Sequence, residues 1–270
     1  QVVALTVDGA ISPASADYVV RGIDAAAQRG AQAVLLQLDT PGGLASAMRE
    51  IVKAILNSPV PVIGYVAPQG ARAASAGTYI LYACHVAAMA PATNIGAATP
   101  VTITGAGSVA PASSAGKSGA EPAGNAEMRK LTNDAVASIR ALAERRGRNA
   151  DWAEQAVRDA ASITAQQALK EHVIDLVAPS AAALLASVDG RTVETTAGAR
   201  VLHTRDAVLV PIVPDARSRF LAVIADPSVA LVLLLLGIGG LVMEGTHPGV
   251  ILPGVVGAIS LLLALYAFQL

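Results

Sequence analysis

One cysteine, Cys84, in 270 residues leaves no disulfide framework and no cysteine-based metal site to build on. The four histidines, His85, His172, His203 and His247, are too scattered to replace it, so no metal and no other cofactor is expected. Charge is equally sparse. Charged residues make up 14% of the chain, the formal net charge is -1, and no long Lys/Arg block occurs, which removes nucleic acid from the expected partners. No Gly-Lys-Ser or Gly-Lys-Thr follows the Pro41-Gly42-Gly43 turn, which argues against a phosphate-cradling loop. The start at Gln1, with neither a methionine nor a basic-then-apolar leader, reads as a processed or truncated product.

What the chain has instead is apolar surface. Hydrophobic residues reach 53% and mean hydropathy is +0.53, with the excess gathered at the C-terminal end. Val229 to Met243 is nearly unbroken, and Val250 to Phe268 carries no charge. At 1.5 Å rise per residue the second run measures roughly 28 Å, close to the ~30 Å hydrocarbon core of a bilayer. The first run is long enough if Leu221 to Ala225 contributes and Asp226 lies near the interface. Two transmembrane helices in a hairpin are expected, with Gly237, Gly239, Gly240, Gly254 and Gly257 allowing close packing.

The N-terminal part alternates short apolar runs with helical periodicity. Val2 to Val7, Ala33 to Leu38, Pro61 to Val66 and Val86 to Ala90 read as strands. Ala14 to Arg29 and Leu44 to Leu56 read as helices between them. That alternation predicts an α/β fold with a parallel sheet and right-handed crossovers. Residues 103–125, rich in Gly, Ala, Ser and Pro, read as a mobile loop. A long helix is expected from Ala126 to Arg146, then helices capped by Asn149 and Thr164 and a strand from Val173 to Val177. From about Ser187 the polarity rises, with Asp189-Gly190 a hairpin turn.

Two features can carry chemistry. Ser75, in Gly70-Ala-Arg-Ala-Ala-Ser-Ala-Gly-Thr, opens a predicted helix among small neighbours, where backbone N–H groups and the helix dipole favour an oxyanion. Plain N-capping explains a serine there equally well. The Asp39-Thr40-Pro41-Gly42-Gly43 turn lies at the carboxyl end of a parallel strand, where open α/β folds bind ligands. A serine nucleophile needs a base, and no histidine is aimed at Ser75 by its local sequence. Lysine can serve where burial lowers its pKa from about 10.4 toward 7–8. Lys53 and Lys170 read as solvated. Lys117 sits in the wet loop, whereas Lys130 lies near the start of the long helix with Met128, Leu131 and Ala135 as a dry setting. An ordinary surface lysine beside Arg129 fits the spacing as well.

Taken together, the segments Asp39 to Gly43, Ala73 to Tyr79, Met89 to Ala97 and Lys130 to Arg140 resemble the membrane-bound NfeD-like, or stomatin-operon-partner, serine proteases. These belong with the ClpP and crotonase superfamily and are related to signal peptide peptidase A. The resemblance implies a ClpP/crotonase-like β-α spiral over residues 1–186, a polar connector over 187–219 and two transmembrane helices over 220–270. It also implies Ser75 as nucleophile, Lys130, just before Thr132-Asn133-Asp134, as its base, and Gly43 and Ala76 as the oxyanion hole. The implied activity is endopeptidase cleavage of apolar segments in membrane-associated proteins, a stomatin-like partner among them, by a homodimer or higher assembly in a lipid bilayer. The loop before Lys130 is longer than in compact members of the family.

Two other classes compete. A crotonase-like acyl-CoA enzyme shares the fold and a backbone oxyanion hole but needs neither Ser75 nor Lys130. A non-catalytic assembly protein on the same scaffold needs no turnover at all. Orientation is contested within the sequence itself: Arg205, Arg217 and Arg219 before the first span favour a cytoplasmic domain. The family's cleaved leader implies an extracytoplasmic one, which is the expectation adopted.

Overall fold

The computed structural model describes residues 1–101, 123–214, 223–224, 227–246 and 251–269. The stretch 103–125 lies outside them except for its last three residues, which open a helix; Lys117, Arg217, Arg219 and His247 are also outside.

Six parallel strands form the main sheet: β1 (Val2–Asp8), β2 (Ala33–Asp39), β3 (Val62–Val66), β5 (Val86–Met89), β8 (Leu176–Val177) and β11 (Leu209–Pro211). Their spatial order is β11-β1-β2-β3-β5-β8. Both faces are covered, which is why the strands read as continuous apolar runs. Val34, Leu36, Leu38, Val62, Val66 and Met89 point into one core, with α1 (Pro13–Gln28), α2 (Ala45–Leu56) and α3 (Ala76–Ala83) over it. The alternate residues Leu35, Ile63, Tyr65, Val86 and Ala88 point into the other, under α7 (Ala181–Ser187). The N-cap of α1 is Ser12, which forms a reciprocal capping box with Ser15.

Three short strands that periodicity does not reveal make a second sheet: β4 (Arg72–Ala74), β6 (Asn94–Gly96) and β7 (Ser162–Thr164), in the order β4-β6-β7. Each has three residues, too few for an alternation to register. A long helix and a short one come between β6 and β7 in the chain, packed against each other. The first, α4 (Ala123–Arg146), packs through Val136, Ile139, Leu142 and Ala143. The second, α5 (Ala150–Arg158), is capped by Asn149 as expected, its side chain accepting from the Trp152 N–H. Thr164 likewise caps α6 (Ala165–Lys170) in a capping box with Gln167.

The stretch read as a polar connector carries β9 (Thr192–Thr195) and β10 (Gly198–Val201), an antiparallel hairpin, and ends in β11 on the main sheet. The hairpin turn falls at Thr196-Ala197 and not at Asp189-Gly190. Asp189 instead accepts the Thr204 and Arg205 N–H groups at 2.8 and 3.2 Å. Val193 and Leu202 are buried against the second core, so this polar-looking segment closes the open face of the sheet.

Beyond it, α8 (Pro227–Thr246) and α9 (Ile251–Gln269) pack against each other. A Cβ on Gly240 would stand 2.4 Å from the Pro253 carbonyl, and one on Gly237 2.9 Å from Leu261, so the expected close approach is present at these glycines. Val229–Thr246 is long and apolar enough to cross a membrane and only 11% of it is buried, while Leu252–Ala267 is a shorter apolar stretch.

One buried ion cluster joins these layers. Arg148, with 3% of its side chain exposed, donates to the Leu81 and Tyr82 carbonyls at the end of α3 and to Asp175 at 2.8 Å. Arg146 donates to Ala83 O at 2.8 Å. Asp175 also accepts the Ala87 N–H at 2.7 Å and Arg191 at 2.6 Å. Burial opposes its charge, but Arg148, the Ala87 N–H and Arg191 prevail and hold its pKa below the usual carboxylate range. Stability from a depressed carboxylate is fully present above its unfolded pKa of about 3.9 and is lost as pH falls through the folded value. Replacing Asp175 by Ala strands a buried guanidinium, and the expected cost is about 3–5 kcal/mol. Urea unfolding of Asp175→Ala at neutral pH measures it; a loss below about 1 kcal/mol would show that Arg148 finds other partners.

Candidate active site

The turn after β2 is organised by Thr40, which is fully buried. Its Oγ1 accepts the Gly42 N–H at 3.1 Å and lies 3.2 Å from Gly42 O. Its backbone bridges to β4: Thr40 N donates to Arg72 O at 2.7 Å, and Ala74 N donates to Thr40 O at 3.0 Å. The next two residues are held from the opposite side. Ile11 N donates to Gly42 O at 2.8 Å and Leu44 N to Ile11 O at 2.9 Å, a parallel bridge that turns the N–H of Gly43 away from Ile11. That N–H has no hydrogen-bond partner among the described residues. Both glycines are obligatory: a Cβ on Gly43 would lie 2.1 Å from Ile11 O, and one on Gly42, at φ 118°, 2.6 Å from the Cβ of Ser75.

Ser75 joins β4 to α3 with φ 51° and ψ -115°, a region only glycine enters freely. Its backbone is fixed by Ser75 N to Gly96 O at 2.9 Å and Thr78 N to Ser75 O at 3.0 Å. The Thr78 hydroxyl lies 3.0 Å from both Ala73 O and Gly96 O and braces the turn from below. Gly77 lets α3 approach, since a Cβ there would meet Thr40 Cγ2 at 2.6 Å. Simple N-capping does not account for this serine. Its side chain makes no capping bond, and the half-buried Oγ has no hydrogen-bond partner among the described residues. Ala76 is the first residue of α3, so its N–H is one of the helix's unsatisfied donors.

Gly43, Ser75 and Ala76 share one wall of a cavity of about 570 Å³ between α2 and α4. Leu44, Met48, Val52 and Leu56 line it from α2 at helical spacing, and Leu131, Ala135 and Leu142 from α4. Tyr79, one turn beyond Ser75, donates to Ala98 O at 3.3 Å; burial pushes its phenol up to about 12, so it stays protonated. Of the expected site residues, three thus come together.

Lys130 is the fourth, and it stands apart. It is exposed and does not line the cavity, although Leu131 next to it does. The dry setting expected around it is absent: Leu131 is exposed, and Met128 and Ala135 are half-buried. The first turns of α4 lie beyond the part that packs, which starts at Val136. The histidines do not supply a substitute. His85 is buried with Nδ1 accepting the Val62 N–H at 3.1 Å, and burial together with Arg146, Arg148 and Arg145 pushes its pKa down to about 3. His172 and His203 are exposed and not part of the cavity wall. No metal-ligating cluster of His, Cys, Asp or Glu occurs among the described residues.

The Ser75 conformation predicts a measurable strain. Ser75→Gly should raise stability relative to Ser75→Ala by about 1 kcal/mol, because glycine adopts this φ without a clash while neither variant keeps the hydroxyl. Thermal melts of the two variants side by side decide this; equal melting temperatures would mean that the turn is relaxed.

The chain matches two family models, the NfeD1b N-terminal domain over residues 1–118 and the NfeD integral membrane domain over residues 228–270. It is 38% identical over 264 residues to the membrane-bound protease PH1510 of Pyrococcus horikoshii, covering 97% of this chain and 57% of that protein. It is 27% identical over 252 residues to the membrane protein NfeD1b of Bacillus subtilis, 93% of this chain and 52% of that one. The chain therefore spans little more than half the length of these relatives. Among solved structures, the 1510-N membrane-bound stomatin-specific protease, as a lysine-to-alanine mutant with a substrate peptide, superposes with a TM-score of 0.69. That match has 34% identity and covers 82% of this chain and 95% of that one. A serine-to-alanine mutant of the same protease gives a TM-score of 0.67 at 36% identity, over 79% and 98% of the two chains. With a parallel α/β domain followed by apolar helices, and with these identities over nearly its whole length, the chain belongs to the NfeD family of membrane proteins.

Proposed function

We propose that this protein is a serine endopeptidase in which Ser75 is the nucleophile and Lys130 its general base. The observation that carries the reading is Ser75 itself: a strained, uncapped hydroxyl on the wall of an apolar cavity, beside the Gly43 and Ala76 N–H groups. A hydroxyl held in this way costs conformational energy without adding a stabilising bond, as nucleophiles on tight turns do. In the reaction, neutral Lys130 takes the Ser75 proton as Oγ attacks the substrate carbonyl. The two N–H groups bind the developing oxyanion, and the lysine then protonates the leaving amine. Water hydrolyses the acyl-enzyme by the same steps in reverse order of partners. A substrate backbone laid between α2 and α4 would cover the exposed amine of Lys130 and exclude water from it.

The apolar walls of the cavity favour an apolar peptide segment, and the stomatin specificity of the solved relative suggests a stomatin-like membrane protein as partner. The assembly is a homodimer or higher oligomer anchored by both C-terminal helices, with the peptidase domain extracytoplasmic. The exposure of Lys130 favours one rival, a non-catalytic assembly role on the same scaffold.

Ser75→Ala and Lys130→Ala are each expected to abolish turnover of an apolar peptide while circular dichroism stays unchanged. Lys117→Ala should change the rate by less than about tenfold. A folded Lys130→Ala that cleaves normally beside a dead Lys117→Ala would move the base to Lys117. Undiminished cleavage by Ser75→Ala would end the peptidase reading and leave the assembly role. For orientation, a cysteine introduced at the exposed Arg200 should react with a membrane-impermeant maleimide added to intact cells. Reaction only after lysis would place the domain in the cytoplasm.

A further inference from the structure

Arg49 on α2 and Asp134 on α4 form an ion pair at 2.5 Å between the two helices that wall the cavity. With 65% and 58% of these side chains exposed, the pair contributes little to global stability. Its location is more informative than its strength. Asp134 is one helical turn after Lys130, on the same side of α4. Tyr79 is one turn after Ser75 on α3, and its phenol feels the charges of both Arg49 and Asp134. The pair thus lines the same cavity as Ser75 and Tyr79, one helical turn from the residue proposed as base.

The segment it anchors is little buried. Buried packing of α4 begins at Val136, whereas Glu127, Arg129, Lys130, Leu131, Asn133 and Asp134 are exposed. On the other flank, Arg158 of α5 reaches Asn133 Oδ1 at 3.4 Å, near the limit of a hydrogen bond.

We propose that the Arg49–Asp134 pair is a positioning device: by fastening the first turns of α4 to α2, it sets where Lys130 stands relative to Ser75. This rests on the Ser75–Lys130 reading above. A general base acts only within hydrogen-bond reach of its proton, so a small displacement of this helix end costs rate without changing how substrate binds.

The test uses the full chain in detergent with a fluorogenic apolar peptide. Arg49→Ala and Asp134→Ala should each lower kcat about fivefold, with KM within about twofold and the melting temperature nearly unchanged. The double variant should be no slower than either single one, and the reversed pair, Arg49→Asp with Asp134→Arg, should recover to within about twofold of wild-type kcat. Wild-type kcat in the single variants, or a reversed pair as slow as they are, overturns the proposal. A rise in KM alone also overturns it, because the pair would then be contacting substrate. Lys130→Ala run in parallel separates the two levels: normal turnover there refutes the base assignment, whereas a dead Lys130→Ala beside unaffected Arg49→Ala and Asp134→Ala refutes only the positioning role.

Discussion

The site depends on Thr40. This first residue after β2 bonds in two directions, through the side chain to Gly42 and through the backbone to β4. The first contact shapes the turn that exposes the Gly43 N–H. The second fixes the strand that delivers Ser75. A parallel sheet alone would leave these two loops as independent excursions from different strands, each free to wander by more than the tolerance of a reacting group. One buried threonine makes them a single object. The burial also explains why a hydroxyl is useful there, since an unpaired Gly42 N–H in the same place would carry a desolvation penalty.

A strained residue persists only where its surroundings over-determine it. Ser75 is held by its own N–H and carbonyl, by the Thr78 hydroxyl beneath it and by the close passage of Gly42 and Gly77. The far end of α3 is held as firmly, with Arg146 and Arg148 on its last carbonyls and Asp175 locking Arg148 in place. Cations on those carbonyls complement the negative end of the helix dipole, whose positive end faces Ser75. The helix that presents the serine is therefore fixed at both termini by charge and hydrogen bonding, and along its length by burial of every residue from Ala76 to Ala83.

Much of this could be read in the residues. The central strands announce themselves because sheets covered on both faces need apolar side chains on both, and Ala33 to Leu38 supplies them. Helix ends at Asn149 and Thr164 follow from cap chemistry that acts locally. Gly43, Ser75 and Ala76 stand out as a set only through the family resemblance, because an ordinary strand-to-helix turn and plain N-capping account for the same residues locally. What stayed hidden depends on distant partners. Strand β4 is Arg-Ala-Ala, with no strand preference, and exists because β6 pairs with it on one side and Thr40 on the other. Residues 192–211 look polar because β9 and β10 expose most of their side chains, yet Val193 and Leu202 close a core. Asp175 and Arg148 are ordinary surface residue types until folding brings them together.

The two halves of the proposed site are consequently built to different standards. Gly43, Ser75 and Ala76 rest on crossed backbone bonds within the sheet layer, where a shift of any one strand would break several bonds at once. Lys130 rests on a helix whose C-terminal part is packed and further tied by Arg140 to Asp151 and Glu154, both at 2.9 Å, while its first turns rest on side-chain contacts. On the proposed peptidase reading, rigid donors with an adjustable base suit a cavity that takes a polypeptide. Of the two helices lining the cavity, the stretch with less burial is the start of α4. With the less buried element carrying the proposed base, and not the proposed oxyanion donors, the interactions that stay fixed are those whose value comes from needing no reorganisation as charge develops.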